Sequence, residues 1–391
     1  GESGLAERKI CPSCGAPLSA EALTGGDCPD CLRRHALEEI GFGDTTAAAG
    51  DPPTPPPDPE TIGPYRIVRR LGEGGMGVVF LAEQTEPIRR QVALKVVRAG
   101  IGSESFLSRF QLERQALARM DHPNIARIFD AGSTDTGQPY FVMEFVDGET
   151  ITGYCDRRRM SLEDRVGLFR RICGAIQHAH RRGVIHRDLK PTNLLVQDTP
   201  EGPEPKVIDF GIAKATGDQR FDASVQTAMG HLIGTPSYMS PEQAEVGEAD
   251  IDTRTDVFSL GVVLYELLAG ATPLDSSELA RGGVGTMLKA VRDAAFPTPS
   301  ERFRQLGGSM ASIAELRGTS PAALTQALRG ELDWIAMRAL ERDRAMRYGG
   351  ASDLQQDLDR YLRNEPVVAR APTTMYRVRK FVQRNRASVA I

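Results

Sequence analysis

The chain has 391 residues, a length that suits two or three domains; its 40% apolar content is ample for a packed core and its 26% charged content is ordinary. A net charge of −4 leaves no large basic excess for nucleic acid. No apolar run reaches the ~18 residues that would read as a membrane-spanning helix.

Four cysteines open the chain. Cys11 and Cys14 lie in CPSC, Cys28 and Cys31 in CPDC, with thirteen residues between the pairs. Each C-x-x-C turn presents two thiolates to one metal, and two such turns suit tetrahedral Zn²⁺. The competing arrangement is a pair of disulfides in a secreted protein, which the intracellular chemistry read further along disfavours. This module spans 9–40 and ends in a charged, helix-like stretch, LRRHALEEI. It carries Arg33 and Arg34 but no aromatic residue precedes Phe42. Stacking platforms for single-stranded nucleic acid need aromatics, so the expectation is a structural or protein-docking element. Residues 41–62 begin GFGDTTAAAGDPPTPPPDP, too poor in apolar side chains to fold and rich in proline. They read as a linker, partly extended as polyproline II.

Short strand-type runs follow: YRIVRRL, GVVFLAE, QVALKVV, ARIFDAG and PYFVMEF. The first two flank LGEGGMGVV, which sets Gly72, Gly74, Gly77 and Val79 in a G-x-G-x-x-G-x-V pattern directly after Leu71. Glycines at these positions let a backbone approach phosphates without Cβ clashes. The pattern alone also fits a dinucleotide-binding turn, but that turn opens a helix. The strand-type run that follows instead predicts a β-hairpin lid. In QVALKVV, period-two alternation gives Ala93, Lys95 and Val97 one face. A helix is predicted over 106–120, with Phe106, Phe110, Leu117 and Met120 as its apolar stripe and Glu113 inside that stripe. A carboxylate on a buried face is costly without a partner, and Lys95 is the expected one.

The segment VIHRDLKPTN covers 184–193, and Asp209 stands sixteen residues beyond Asn193 within VIDFG. Asp188 is a candidate base for a hydroxyl proton. Asn193 and Asp209 offer the oxygen ligands that hold Mg²⁺ against a triphosphate. Beyond Asp147 the pattern turns helical, over 161–182, 254–268, 331–340 and 351–362. Cys155 and Cys173 read as small buried apolar residues. A small strand-rich lobe followed by a larger helical lobe defines an α+β arrangement with a cleft between them. The expected boundaries are 63–146 and 147–365 for the two lobes, with a basic segment over 366–391.

On these residues the stretch 65–362 resembles the eukaryotic-type protein kinase family, and within it the bacterial Ser/Thr kinases. LGEGGMGVV, VALK, Glu113 before DHPNI, MEFVDG, HRDLKPTN, DFG, GTPSYMSPEQ, DVFSLG and DRAMRYGGA carry the likeness. The resemblance implies a bilobal protein kinase fold preceded by a small zinc ribbon. It further implies transfer of the ATP γ-phosphate to protein Ser or Thr hydroxyls, with Mg²⁺ or Mn²⁺. Lys95, paired with Glu113, would hold the α- and β-phosphates; Asp188 would be the base and Lys190 would neutralise the γ-phosphate. Asn193 and Asp209 would bind the metal. Adenine would meet the backbone of Glu144 and Val146 behind Met143, between Val79, Ala93 and Leu195. Asp256 and a Glu242–Arg347 pair would brace the helical lobe. The family's usual APE is SPE in this chain, at 240–242, and keeps its proline and glutamate.

The resemblance also makes Arg187 a partner for a phosphorylated activation loop, with Thr227 and then Ser224 as the expected autophosphorylation positions and Thr235 in a structural role. The alternative is a nucleotide-binding pseudokinase scaffold; Lys95, Asp188, Asn193 and Asp209 are all intact, which favours the enzyme. From Pro366 to Ile391 the chain has six basic residues and no acidic one, and it closes on ASVAI. The bacterial subgroup with a cysteine module continues into a membrane helix, and basic residues stay on the cytoplasmic side. The expectation is therefore a membrane helix beginning near Ala387, with all preceding residues cytoplasmic.

Overall fold

The computed structural model describes residues 58–74, 77–97, 120–210, 236–245, 251–274, 283–370, 376 and 380. The chain divides into two units, 1–57 and 58–391, and the described residues all belong to the second. The cysteine module, residues 106–119 of the helix expected over 106–120 (Glu113 included), and the loop bearing Ser224, Thr227 and Thr235 lie outside them.

The strand-type runs form one antiparallel sheet: β1 (Thr61–Ile62), β2 (Tyr65–Gly74), β3 (Gly77–Gln84), β4 (Arg90–Val97), β5 (Ile128–Ser133) and β6 (Pro139–Glu144), in the order β1-β2-β3-β4-β6-β5. Alternation splits its two faces. Phe80, Ala82, Val92, Leu94, Tyr140 and Val142 bury a small cluster on one side. Ala93, Val97, Phe141 and Met143 face the other way and join the core that runs on into the helical lobe. Burying such a side chain contributes ~1.5–3 kcal/mol, so the sheet is held from both sides. Thr61 and Ile62 were expected to close the linker; they pair with Arg66 and Tyr65 instead, because Ile62 is buried in the small cluster.

Beyond residues 145–148, β7 (Glu149–Thr150) pairs with β8 (Leu194–Thr199), and β8 pairs with β9 (Gly202–Val207). This second sheet sits within the stretch expected to be helical. Of its runs, GPEPKV carries two prolines and LLVQDT turns polar after three residues, which hid the period-two signal.

Helices α1 (Ile151–Arg157), α2 (Leu162–His180), α3 (Thr253–Ala269), α4 (Gly283–Asp293), α5 (Pro299–Gln305), α6 (Met310–Glu315), α7 (Pro321–Leu328), α8 (Glu331–Ala339) and α9 (Ala351–Leu362) complete the second lobe. Ser161 caps α2 by accepting from the Asp164 N–H at 3.2 Å, with Glu163 and Asp164 in the first turn to complement the helix dipole. Its buried residues Val166, Phe169, Ile172, Cys173 and Ile176 follow helical spacing. Burial raises the Cys155 thiol pKa to about 11 and pushes Cys173 up as well, as befits inert core residues. In α3 nearly every residue from Thr255 to Ala269 is buried, which makes it the central post of the lobe.

The basic segment does not begin as a free tail. Val367 is 1% exposed, and the Asp357 carboxylate accepts from the N–H groups of Val368 and Ala369, each at 2.7 Å. Tyr376 and Lys380 both reach Glu331, at 2.8 and 2.7 Å. Among the described residues no helix is long and apolar enough to cross a membrane.

Candidate active site

The glycine hairpin is the β2–β3 turn, and a strand follows it as expected. Gly74 faces Gly77 across the ladder, and Gly72 faces Val79. Gly77 has φ +147°, and a Cβ there would stand 1.9 Å from the Val96 carbonyl oxygen, so no other residue fits without moving β4. Gly72 and Gly74 are different: nothing lies within 4 Å of where their Cβ atoms would be. Those two positions leave open space above the cleft, with Leu71 partly exposed beside them.

Register then builds the roof and back wall. Val79 faces Lys95, Lys95 faces Phe141, and Ala93 faces Met143. Val79, Ala93, Lys95 and Met143 therefore share the face turned towards the helical lobe. The strand ends at Glu144, whose N–H donates to the Arg127 carbonyl at 2.8 Å, and buried Val146 follows with its carbonyl bonded to the Gly148 N–H at 3.0 Å. Leu195 is half-buried on β8 of the second sheet.

The charged groups meet below. The loop after α2 is pinned by Asp256, fully buried in the first turn of α3. Its carboxylate accepts from the N–H groups of His186 and Arg187, each at 2.8 Å, and from His180 Nε2 at 2.7 Å. Burial alone would raise this carboxyl pKa, but the His180 contact and the two N–H donors override it and hold the group low. Arg187 takes φ +63° and Asp209 φ +57°, a left-handed conformation that is uncommon for such residues and that surrounding bonds must enforce. For Asp209 those bonds include Ile208 N–H to the Asn193 carbonyl at 2.9 Å and His186 Nε2 to the Ile208 carbonyl at 3.1 Å.

Asp188 is met by Lys190 Nζ at 2.9 Å and by Asn193 Nδ2 at 3.1 Å, and the same amide nitrogen donates to the Asp188 carbonyl at 2.8 Å. Lys95 Nζ donates to both carboxylate oxygens of Asp209, at 2.5 Å to Oδ2. Its expected partner Glu113 lies outside the described residues, and the contact with Asp209 was not anticipated. Asp188, Lys190 and Asp209 keep 20–26% of their side chains exposed, so the cluster opens on solvent. With the Asn193 nitrogen spent on Asp188, its carbonyl oxygen and the Asp209 carboxylate are hard oxygen donors that fit Mg²⁺. Among the described residues no group of three or more His, Cys, Asp or Glu could hold a metal.

The brace expected in the helical lobe is present. Glu242 takes a two-point contact from Arg347, at 2.7 and 2.8 Å, and one from Thr255 at 2.8 Å. Burial works to raise the Glu242 carboxyl pKa, and the guanidinium outweighs it and holds the group below the usual range. Three supporting residues were not foreseen. Gln243 Nε2 donates to the Arg187 carbonyl at 2.9 Å, His180 holds Asp256, and Lys206 pairs with Glu144 at 2.9 Å. Only Lys206 left a sequence signal, a lone charge in PKVI directly before DFG.

A glycine hairpin above a lysine, an aspartate flanked by lysine and asparagine, and a second aspartate define the class: a nucleotide-dependent phosphotransferase site. A family model described as the protein kinase domain matches residues 65–332. The serine/threonine-protein kinase Pkn1 of Myxococcus xanthus is 34% identical over 340 residues, 79% of this chain and 47% of that protein. PknB of Mycobacterium tuberculosis is 34% identical over 307 residues, covering 77% and 43%. The crystal structure of the M. tuberculosis PknI kinase domain superposes with a TM-score of 0.54 at 27% identity, covering 76% of this chain and 96% of that one. The chain belongs to the protein kinase domain family, and its curated relatives are serine/threonine kinases. It spans just under half the length of those relatives.

Proposed function

We propose that this chain transfers the γ-phosphate of ATP to Ser or Thr hydroxyls of proteins, itself included. The observation that carries the reading is the convergence of Lys95, Asp188, Lys190, Asn193 and Asp209 on one solvent-open cleft beneath the glycine hairpin. Adenine lies between Val79 and Ala93 above and Leu195 below, with Met143 behind. It reads the carbonyl of Glu144 and the N–H of Val146. Asn193 and Asp209 hold Mg²⁺, which supplies charge neutralisation at the phosphates when bound. As the hydroxyl oxygen bonds to the γ-phosphorus and the bond to ADP breaks, Asp188 accepts the hydroxyl proton. Lys190 sits 2.9 Å from that carboxylate and is positioned to meet the transferring phosphoryl group. Lys95, with Glu113 as its ion-pair partner, holds the α- and β-phosphates. The test is phosphate incorporation from labelled ATP and Mg²⁺ by the purified chain. Labelling that is lost in Asp188→Asn supports the reading, whereas a wild-type chain that binds ATP and transfers nothing makes it a pseudokinase scaffold.

Three finer readings belong to the same proposal. Cys11, Cys14, Cys28 and Cys31 hold one structural Zn²⁺, because a module of ~30 residues buries too little core alone; metal analysis near one equivalent of zinc would support it. Thr227, then Ser224, accepts the autophosphate, adding roughly −1.5 to −2 charges opposite Arg187; mass spectrometry after ATP incubation reads it. The basic stretch at 366–391 leads into a membrane helix, with the kinase on the cytoplasmic side of a receptor, and the codons following Ile391 in the native gene decide that.

A further inference from the structure

Lys206 is 8% exposed, and a lysine so buried needs a partner for its charge. It finds one across the lobe boundary, in the side chain of Glu144 at the end of β6. That contact closes a ring of bonds. The Glu144 N–H donates to the Arg127 carbonyl at 2.8 Å, and the Arg127 N–H returns a bond to Glu144 Oε2 at 3.1 Å. Ala126, next in the chain, donates to the Val207 carbonyl at 2.9 Å, and Val207 adjoins Lys206. Within the second sheet Lys206 faces Leu195, so its stem lies beside the floor of the nucleotide cleft. Three residues on is Asp209.

We propose that Lys206 is a positioning residue for adenine. Its ion pair with Glu144 fixes the backbone of the inter-lobe connection, at Glu144 and Val146, at a set height above Leu195. The base then enters a slot of fixed width. The proposal rests on the reading of this cleft as an ATP site. Lys206 touches no substrate; it acts through Glu144. The backbone bonds of the ring anchor β9 to residues 124–127, but only the side-chain pair ties β9 directly to the residue that carries the adenine contact.

The experiment compares Lys206→Met, Lys206→Arg and Glu144→Gln in the full chain, with adenosine as the probe beside ATP. Adenosine has no phosphate and needs no metal, so it reports the base slot without Asp209 or Lys95. Lys206→Met is expected to weaken adenosine binding and raise the KM for ATP by the same factor, about five- to tenfold. The kcat at saturating ATP should stay within about twofold, the pattern of lost uniform binding. Lys206→Arg, which keeps the charge, should recover most of the affinity. Glu144→Gln should match Lys206→Met, and the double variant should be no worse than either, as expected when both act through one pair. Adenosine affinity unchanged in Lys206→Met and Glu144→Gln, with only a lowered melting temperature, would overturn the proposal. So would a loss confined to ATP, which would move the effect to the phosphate end. Should Lys206→Met fail to fold, Glu144→Gln and Lys206→Arg decide the same question. Adenosine and ATP both failing to bind the unaltered chain would instead overturn the ATP-site reading, before any variant is compared.

Discussion

Asp256 holds Arg187 in a conformation that Arg187 would not adopt alone. The fully buried carboxylate accepts the Arg187 N–H at 2.8 Å while that residue sits at φ +63°. The strained residue immediately precedes Asp188, so the aim of the candidate base depends on a helix 68 residues further along the chain. Asp256→Ala would leave two buried N–H donors and His180 without their acceptor. At ~1–3 kcal/mol for each orphaned group, the loss of stability should reach several kcal/mol. Urea unfolding measures it, and kcat should fall by more than the residual folded fraction explains. A variant that unfolds at the wild-type midpoint would contradict this account.

Gly77 and Gly74 make a paired test of the hairpin. Gly77→Ala forces a Cβ into the Val96 carbonyl and an unfavourable φ, so it should cost about 2 kcal/mol or more. Gly74→Ala meets no protein atom within 4 Å and should leave thermal unfolding nearly unchanged. Its methyl intrudes only on bound phosphates, so ATP affinity should drop while adenosine affinity does not. Calorimetry with both ligands separates the two cases.

Asp188→Asn should bind ADP with an affinity within about threefold of wild type and transfer phosphate at least about a hundredfold more slowly, in line with the loss of a general base. The amide keeps the shape that Asn193 and Lys190 contact but cannot take the hydroxyl proton. Single-turnover labelling measures the rate, and transfer at the wild-type rate would displace Asp188 from its role.

The Glu242–Arg347 pair predicts a pH dependence of stability. The folded pKa of Glu242 lies below its ordinary value of 4.5, so the folded state favours the charged form. Its contribution is complete above that ordinary value and is lost as pH falls through the lowered one. Unfolding free energy should therefore decline below about pH 4.5, and Arg347→Met should flatten that part of the decline. Because removing one partner strands a buried carboxylate, the same variant should be less stable at pH 7 by about 3–5 kcal/mol. Denaturant titrations from pH 3.5 to 7 read both effects, and parallel curves for the two proteins would remove the pair from the account.

The five long strands of the first sheet and four helices were legible in the sequence because each carries its own signal. Period-two alternation in QVALKVV and helical spacing from Leu162 to Ile176 are local properties, each written within one short stretch of chain. So were the reacting groups, since HRDLKPTN and DFG crowd them into short motifs. The second sheet was not legible, because GPEPKV carries two prolines and LLVQDT turns polar after its first three residues, so neither shows a strand-type run. Nor were α1 and α4–α7, short or weakly patterned segments whose helicity depends on packing. The contacts that aim the site were hidden for a different reason. Lys206 with Glu144, Asp256 with Arg187 and Lys95 with Asp209 join residues 62 to 114 positions apart. A sequence specifies which charges exist; which two meet depends on how separate elements pack, because an ion pair needs only proximity, and proximity is created by the fold.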